Sequence, residues 1–221
     1  MRPKLIKLIT SNHKKTKRNY LQRMIDGKSD AMQVSKKYSF DYWDGKRKYG
    51  YGGYKYDGRW KIIAKKIIRR YRLTSNSKIL DIGCGKGFLV YELSRLLKSK
   101  NVYGVDISSY AIKNSPNEIK NNLKKIDARK KMSFKKNEFD LAISINLIHN
   151  FNIEEIFSFI KNIKSISKKT YVSTESYRNN IELYNLQCWA LTADSFFSHK
   201  EWEWILKANN YYRDYELIYF N

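Results

Sequence analysis

Asp81-Ile82-Gly83-Cys84-Gly85-Lys86-Gly87 sets an acid and then three glycines at alternate positions. An apolar run, Ile79 to Ile82, precedes them, and an apolar-periodic segment, Phe88 to Leu97, follows. That pattern predicts a strand, a tight turn and a helix. Glycine at the turn lets a ligand approach the backbone without meeting a Cβ. The helix behind it aims free N–H groups back at the turn. The chemistry this suits is nucleotide binding, of a type the turn alone leaves open. Asp106 closes the next predicted strand, 19 residues after Gly87. A carboxylate there can accept both hydroxyls of a ribose. The glycine spacing, Gly-x-Gly-x-Gly after an acid, leaves no dedicated pyrophosphate cradle.

Further polar groups fall at predicted strand exits. They are Asp127 with Ala128, Asn146 to His149, and Glu175-Ser176-Tyr177-Arg178. His149 is the best placed of the three histidines (His13, His149, His199) to act as a general base, and Glu175 is the second candidate. A capping or packing role is the competing reading of His149. Arg178 can hold a carboxylate or phosphate bidentately, or simply form a local ion pair.

These residues need elements to position them. Strands are expected at 78–82, 101–105, 126–128, 139–145, 170–174 and 215–220. Helices are expected at 61–71, 88–97, from about 108 to Pro116, at 153–166, at 182–192 and after the capping box Ser198-His199-Lys200-Glu201. The stretch 117–125 reads as a basic helix, or a helix and a loop. Such alternation predicts an α/β fold with a mostly parallel sheet and helices on both faces. Ligands then sit beyond the carboxyl ends of the strands.

Residues 1 to about 37 read as a short helix or an arm, with Leu21, Met24 and Ile25 facing inward. From Tyr38 to Trp60 the chain holds six tyrosines, two tryptophans and five glycines. That composition precludes a regular helix. It predicts either a shaped loop whose rings pack on the domain and whose polar tips, Asp44, Arg47 and Tyr54 among them, reach a ligand, or an aromatic clasp that merely covers the core.

With 221 residues and 42% hydrophobic content the chain can bury a core as one domain with an appendage. The net charge of +23 favours polyanions at face value, but the lysines are dispersed and lysine, asparagine, isoleucine and tyrosine are abundant throughout. Solvated faces account for them equally well. No run is long enough to span a membrane, no secretory signal is visible, and Cys84 and Cys188 form no recognisable pair, so a reducing cytoplasm is expected.

Asp81 to Gly87, Asp106, Ile126-Asp127-Ala128 and Phe139 to Ser144 together resemble the ordered motifs of class I S-adenosylmethionine-dependent methyltransferases. The resemblance spans about residues 61 to 175. It implies a Rossmann-like class I methyltransferase fold with a seven-stranded sheet. Residues 61–221 would form the S-adenosyl-L-methionine-binding domain and 1–60 an arm and lid. By the same resemblance Gly83, Cys84, Gly85 and Gly87 contact the methionine part and Asp81 helps hold its ammonium. Asp106, with Ile107 beside it, takes the ribose hydroxyls. Asp127 and the Ala128 N–H read the adenine, and Asn146 lies beside the sulfonium. Arg59 and Tyr51 would close over the cofactor carboxylate. Asp44, Tyr54, Tyr177 and Arg178 would meet the acceptor. The lid and the 175–178 exit look like those of small bacterial methyltransferases, some associated with surface carbohydrate.

The expected reaction is methyl transfer to an oxygen, or a nitrogen, of a small polar acceptor such as a sugar or nucleotide-sugar. An RNA or protein methyltransferase using the basic surface is the alternative among enzymes. A non-catalytic S-adenosylmethionine- or nucleic-acid-binding protein is the alternative outside them. The strand-four exit, Ser144-Ile145-Asn146-Leu147, lacks the Asn-Pro-Pro-Tyr pattern of adenine amino-methylation and argues against a nucleic-acid substrate.

Overall fold

The computed structural model describes residues 3–10, 18–51 and 54–221. His13 and the lid glycines Gly52 and Gly53 therefore lie outside the described residues. Seven strands form one sheet: β1 (Lys4–Leu5), β2 (Ile79–Ile82), β3 (Val102–Asp106), β4 (Leu123–Lys125), β5 (Phe139–Ile145), β6 (Ser167–Glu175) and β7 (Asp214–Ile218). Their order is β1-β7-β6-β5-β2-β3-β4 and every pairing is parallel. The chain runs outward from β2 to β4, crosses back to β5, and runs outward again. The reversal between β2 and β5 opens a crevice at their carboxyl ends, where ligands bind in such sheets.

The helices are α1 (Tyr20–Ile25), α2 (Lys28–Ser35), α3 (Phe40–Trp43), α4 (Trp60–Tyr71), α5 (Phe88–Leu97), α6 (Ser109–Lys113), α7 (Ile153–Ile166), α8 (Asn180–Trp189) and α9 (His199–Ala208). Alternation along the strands divides the core into two layers. Ile79, Leu141, Ile143 and Tyr171 pack with α4 and α5 residues such as Ile67 and Leu93. Leu80, Ile82, Ala142 and Val172 pack with Ile160 of α7 and Trp202 of α9. Helix ends follow local chemistry: Asn152 with Glu155, and Ser198 with Glu201, both close capping boxes.

Three expectations change. The strand expected at 126–128 lies at Leu123–Lys125, after a 3₁₀ turn at Asn117–Asn122, so Ile126-Asp127-Ala128 is its exit. The seventh strand comes from the N-terminal segment read as an arm. Lys4 and Leu5 pair with β7, and the N–H groups of Leu8, Ile9 and Thr10 donate to the buried Glu216 carboxylate. A buried carboxylate needs such donors, and only the tertiary fold brings them. On α1, Leu21, Met24 and Ile25 are exposed and Arg23 is buried. Its guanidinium donates to the carbonyls of Trp189, Arg47 and Gly50 and lies 4.5 Å from the Trp189 ring centroid. Satisfied that way, a cation with an apolar stem packs better here than its aliphatic neighbours.

Candidate functional site

β2 is buried along its whole length and delivers Asp81 to the crevice with its side chain only 4% exposed. The glycines behind it all have positive φ, and two positions show why glycine is needed. A Cβ on Gly83 would lie 3.0 Å from Leu147 Cδ1, and one on Gly85 only 2.7 Å from Trp43 Cη2. Asp106, from β3, holds the turn from the other side. The Gly85 N–H donates to Oδ2 and the Ser108 N–H to Oδ1, both at 2.8 Å. Burial raises the Asp106 pKa above the usual carboxylate range, against these donors. Burial, and then the field of Asp106, pushes Asp81 up to about 7. Two buried carboxylates in one crevice are suited to a cationic ligand, whose charge would return both to full ionisation.

Two adjoining cavities open here. The smaller, about 110 Å³, is lined by Asp106, Ile107, Asp127, Ala128 and Arg129 among others. The larger, about 590 Å³, holds Asp81, Gly83, Cys84, Gly85, His149 and Glu175. Tyr42, Trp43, Gly83, Asn146 and Asn150 line both and so form the partition between them. Asn146 sits in the left-handed region at φ +51°, a conformation asparagine tolerates better than most residues. It is fixed by its N–H donating to the Ser173 carbonyl and by Ser173 Oγ donating to its side-chain oxygen. Asp127 is bound by Arg129, which holds its pKa below the ordinary value.

The 38–60 segment seats on the glycine turn. Trp43 lies over Gly85 and donates through Nε1 to Ser108 Oγ at 2.9 Å. Lys86 Nζ donates to both Asp44 oxygens, and Tyr110 donates to Asp44 Oδ2. Asp44, expected to meet an acceptor, is therefore a clasp between lid and turn and lines neither cavity. Tyr54 meets Trp43 edge to face with centroids 4.7 Å apart and lines the larger cavity. Tyr51 also lines it, with its hydroxyl accepting the Leu191 and Thr192 N–H groups. Arg59 lines it too, as an exposed ion pair with Asp57. Gly87 does not line either cavity. It starts α5, where a Cβ would meet Ile119 Cδ1 at 2.7 Å.

His149 lies on a buried 3₁₀ turn, Ile148–Asn150, just past β5. Its Nε2 is 3.7 Å from Glu175 Oε2, beyond a direct hydrogen bond. Neither His149 Nδ1 nor Glu175 Oε2 has a hydrogen-bond partner among the described residues. Burial lowers the His149 pKa, which keeps the imidazole neutral near pH 7. Such a ring faces the cavity as an available proton acceptor. Tyr177 and Arg178 are a correction. They leave the crevice, pair with Glu201 and Glu182 respectively, and line neither cavity. The short 175–178 exit cannot keep all four side chains at one point, because successive residues of an extended chain face opposite ways.

Sequence reasoning passed over Trp43, Arg18 and Trp189, all in the larger cavity, which Arg47 of the aromatic segment also lines. The crowding of rings from Tyr38 to Trp60 was a signal for Trp43. Nothing local marks Arg18 or Trp189.

A parallel sheet with its crevice at the reversal point, a Gly-x-Gly-x-Gly turn and an acid on the next strand make the Rossmann-like fold of class I S-adenosylmethionine-dependent methyltransferases. Comparison agrees: residues 79–170 match the methyltransferase-domain family. The ubiquinone biosynthesis O-methyltransferase of Pelagibacter ubique is 32% identical over 120 residues, 50% of this chain and 48% of that protein. The chain spans about half the length of the curated relatives it matches. Among solved structures, a chain from the complex of the Haloferax volcanii Trm112 methyltransferase activator with a methyltransferase superposes with a TM-score of 0.53. It is 17% identical, over 66% of this chain and 65% of that one. A SAM-dependent methyltransferase from Archaeoglobus fulgidus gives a TM-score of 0.50 at 22% identity, over 67% of this chain and 68% of that one. The paired buried carboxylates fit the cationic S-adenosylmethionine that such methyltransferases use. No helix of the described residues is long and apolar enough to cross a membrane.

Proposed function

We propose that this chain transfers the methyl group of S-adenosylmethionine to an oxygen of a small polar acceptor, with a sugar or nucleotide-sugar as the first candidate. The observation that carries the reading is that the two cavities adjoin across one shared wall. Asp106, Asp127 and Ala128 line the smaller cavity, and the larger chamber holds Asp81, the glycine turn and a neutral imidazole 3.7 Å from a carboxylate. Bound cofactor supplies an electrophilic methyl on a sulfonium. Asp81 holds the ammonium, Asp106 the ribose hydroxyls, and Asp127 with the Ala128 N–H the adenine edge. Asn146 stands at the partition, beside the reacting carbon. His149 Nε2 would take the proton of the acceptor hydroxyl, and bound cofactor would supply the methyl group to that oxygen and leave as S-adenosylhomocysteine. Glu175 then stabilises the imidazolium. Alignment of the three reacting atoms supplies most of the acceleration, and the base contributes roughly 10²–10⁴-fold. Oxygen is favoured over nitrogen because a hydroxyl needs such a base. The Pelagibacter relative's name, an O-methyltransferase, points the same way.

The test has two stages. Calorimetry with S-adenosylmethionine and S-adenosylhomocysteine must show binding, and a mass-detected screen of nucleotide sugars and small metabolites must show a gain of one methyl. Absence of cofactor binding to the intact protein sinks the reading. Methylation of mixed RNA with a steep salt dependence would instead support the polyanion alternative.

A further inference from the structure

The chamber has a wall that the methyl-transfer reading does not use. At the end of α8 the Trp189 ring carries three guanidiniums: Arg23 at 4.5 Å, Arg47 at 5.1 Å and Arg18 at 5.3 Å from its centroid. Arg18, Arg47 and Trp189 all line the larger cavity, and Arg23 lies behind them, buried. The other cations of this cavity are neutralised by carboxylates outside it: Lys86 by Asp44 and Arg59 by Asp57. The Trp189 group is different. Arg23 donates to carbonyls alone, and Arg47 donates to the Gly50 carbonyl. Glu175 supplies the carboxylate field at Arg18. Burial lowers the pKa of all three, and Arg47 lowers that of Arg23 further, as like charges must. Guanidiniums gathered on one ring, against a single cavity carboxylate on that side, leave an excess of positive charge facing the chamber.

Resting on the methyltransferase reading, we propose that the acceptor is an anion whose phosphate or carboxylate group is bound by Arg18 and Arg47 over the Trp189 ring. The position favours the acceptor over the cofactor's own carboxylate. The glycine turn and Arg59 lie on the β2 and α4 side, whereas Trp189 ends α8 and Arg18 on its ring feels the Glu175 carboxylate. Arg47 is exposed at the chamber mouth and supplies early attraction, while Arg18 and Trp189 sit deeper. A planar fork matches either oxyanion bidentately.

The experiment titrates protein saturated with S-adenosylhomocysteine with phenyl phosphate, benzoate and phenol, three probes sharing one ring. The anions are expected to bind about tenfold or more tightly than phenol. Arg47→Gln and Arg18→Gln should each cost the anions at least about fivefold, leave phenol unchanged and leave S-adenosylhomocysteine affinity unaltered. The tighter of the two anions identifies the oxyanion. The proposal is overturned if phenol binds as well as the anions, if neither anion binds at millimolar concentration, or if the substitutions weaken S-adenosylhomocysteine instead. Should Arg18→Gln lower the melting temperature, the exposed Arg47→Gln decides alone. Failure of S-adenosylhomocysteine to bind the wild-type protein defeats the methyltransferase reading itself, a separate result.

Discussion

The two halves of the crevice were built in opposite ways. The half beyond β2, β3 and β4 presents Asp81, Asp106 and Asp127, each delivered by the end of a strand or the residues just after it. The half beyond β6 presents Arg18, Arg47 and Trp189, drawn from the N-terminal segment, the lid and the end of α8. Acids at strand ends suit a cationic cofactor. Arginines on an aromatic ring suit something else. A site made of strand exits is set by local order along the chain, while one made of distant segments exists only after the sheet has closed.

Substitutions can break this contrast. The largest effect is expected at the junction. His149→Ala should lower methyl transfer by roughly 10²–10⁴-fold while cofactor affinity, read by calorimetry, stays the same. Unchanged turnover would remove His149 as the base. Asp106→Ala comes next, with a loss of about a hundredfold in cofactor affinity, since charge-assisted hydrogen bonds contribute about 1.5–3 kcal/mol each.

Asp81→Asn has a smaller and two-sided effect. Its pKa is raised by burial to about 7, so the folded state holds the proton more tightly than the unfolded state does. The stability this group contributes is complete below about pH 4, near the ordinary carboxylate value, and is lost as pH rises through 7. Asn at this position should therefore raise the melting temperature of the cofactor-free protein at pH 8, leave it little changed at pH 4.5, and weaken cofactor binding about tenfold. Wild-type binding should also tighten between pH 6 and 8 and release protons at pH 6.5, measurable by calorimetry in buffers of different ionisation enthalpy. Proton uptake there would contradict the assignment of Asp81 to the ammonium. The smallest effect belongs to Arg178→Ala. Its partner Glu182 is buried in the first turn of α8 and keeps the Arg178 backbone N–H as a donor after the substitution, so the loss falls on stability and not on the cofactor site. Cofactor affinity and turnover should not move, and a loss of activity would return Arg178 to the acceptor site.

The cofactor half was legible because its signals are short-range. The strand, turn and helix around Gly83–Gly87 and the helix at Ile153–Ile166 fall where periodicity sets them, because burial of one face and closure of a tight turn are decided within a few residues. The third strand slipped by three residues because the basic run before it, Asn117 to Lys125, carries no clear period. The acceptor half was misread where residues had rival partners. Asp44 and Arg178 both had the right chemistry for a ligand, and both found a protein partner instead. Sequence spacing says nothing of a partner 42 residues away, as Lys86 is from Asp44.

By itself the sequence determined the alternating architecture, the turn at Gly83–Gly87 with its acids at 81, 106 and 127, and the exits that carry His149 and Glu175. Those are consequences of side-chain period and backbone freedom, which act locally. The tertiary structure alone decided that Lys4–Leu5 completes the sheet, that Trp43 lies over Gly85, and that Arg18, Arg23 and Arg47 gather on Trp189. Each joins segments far apart in the chain. Their pairing depends on which buried polar groups and rings remain to be satisfied once the core has formed.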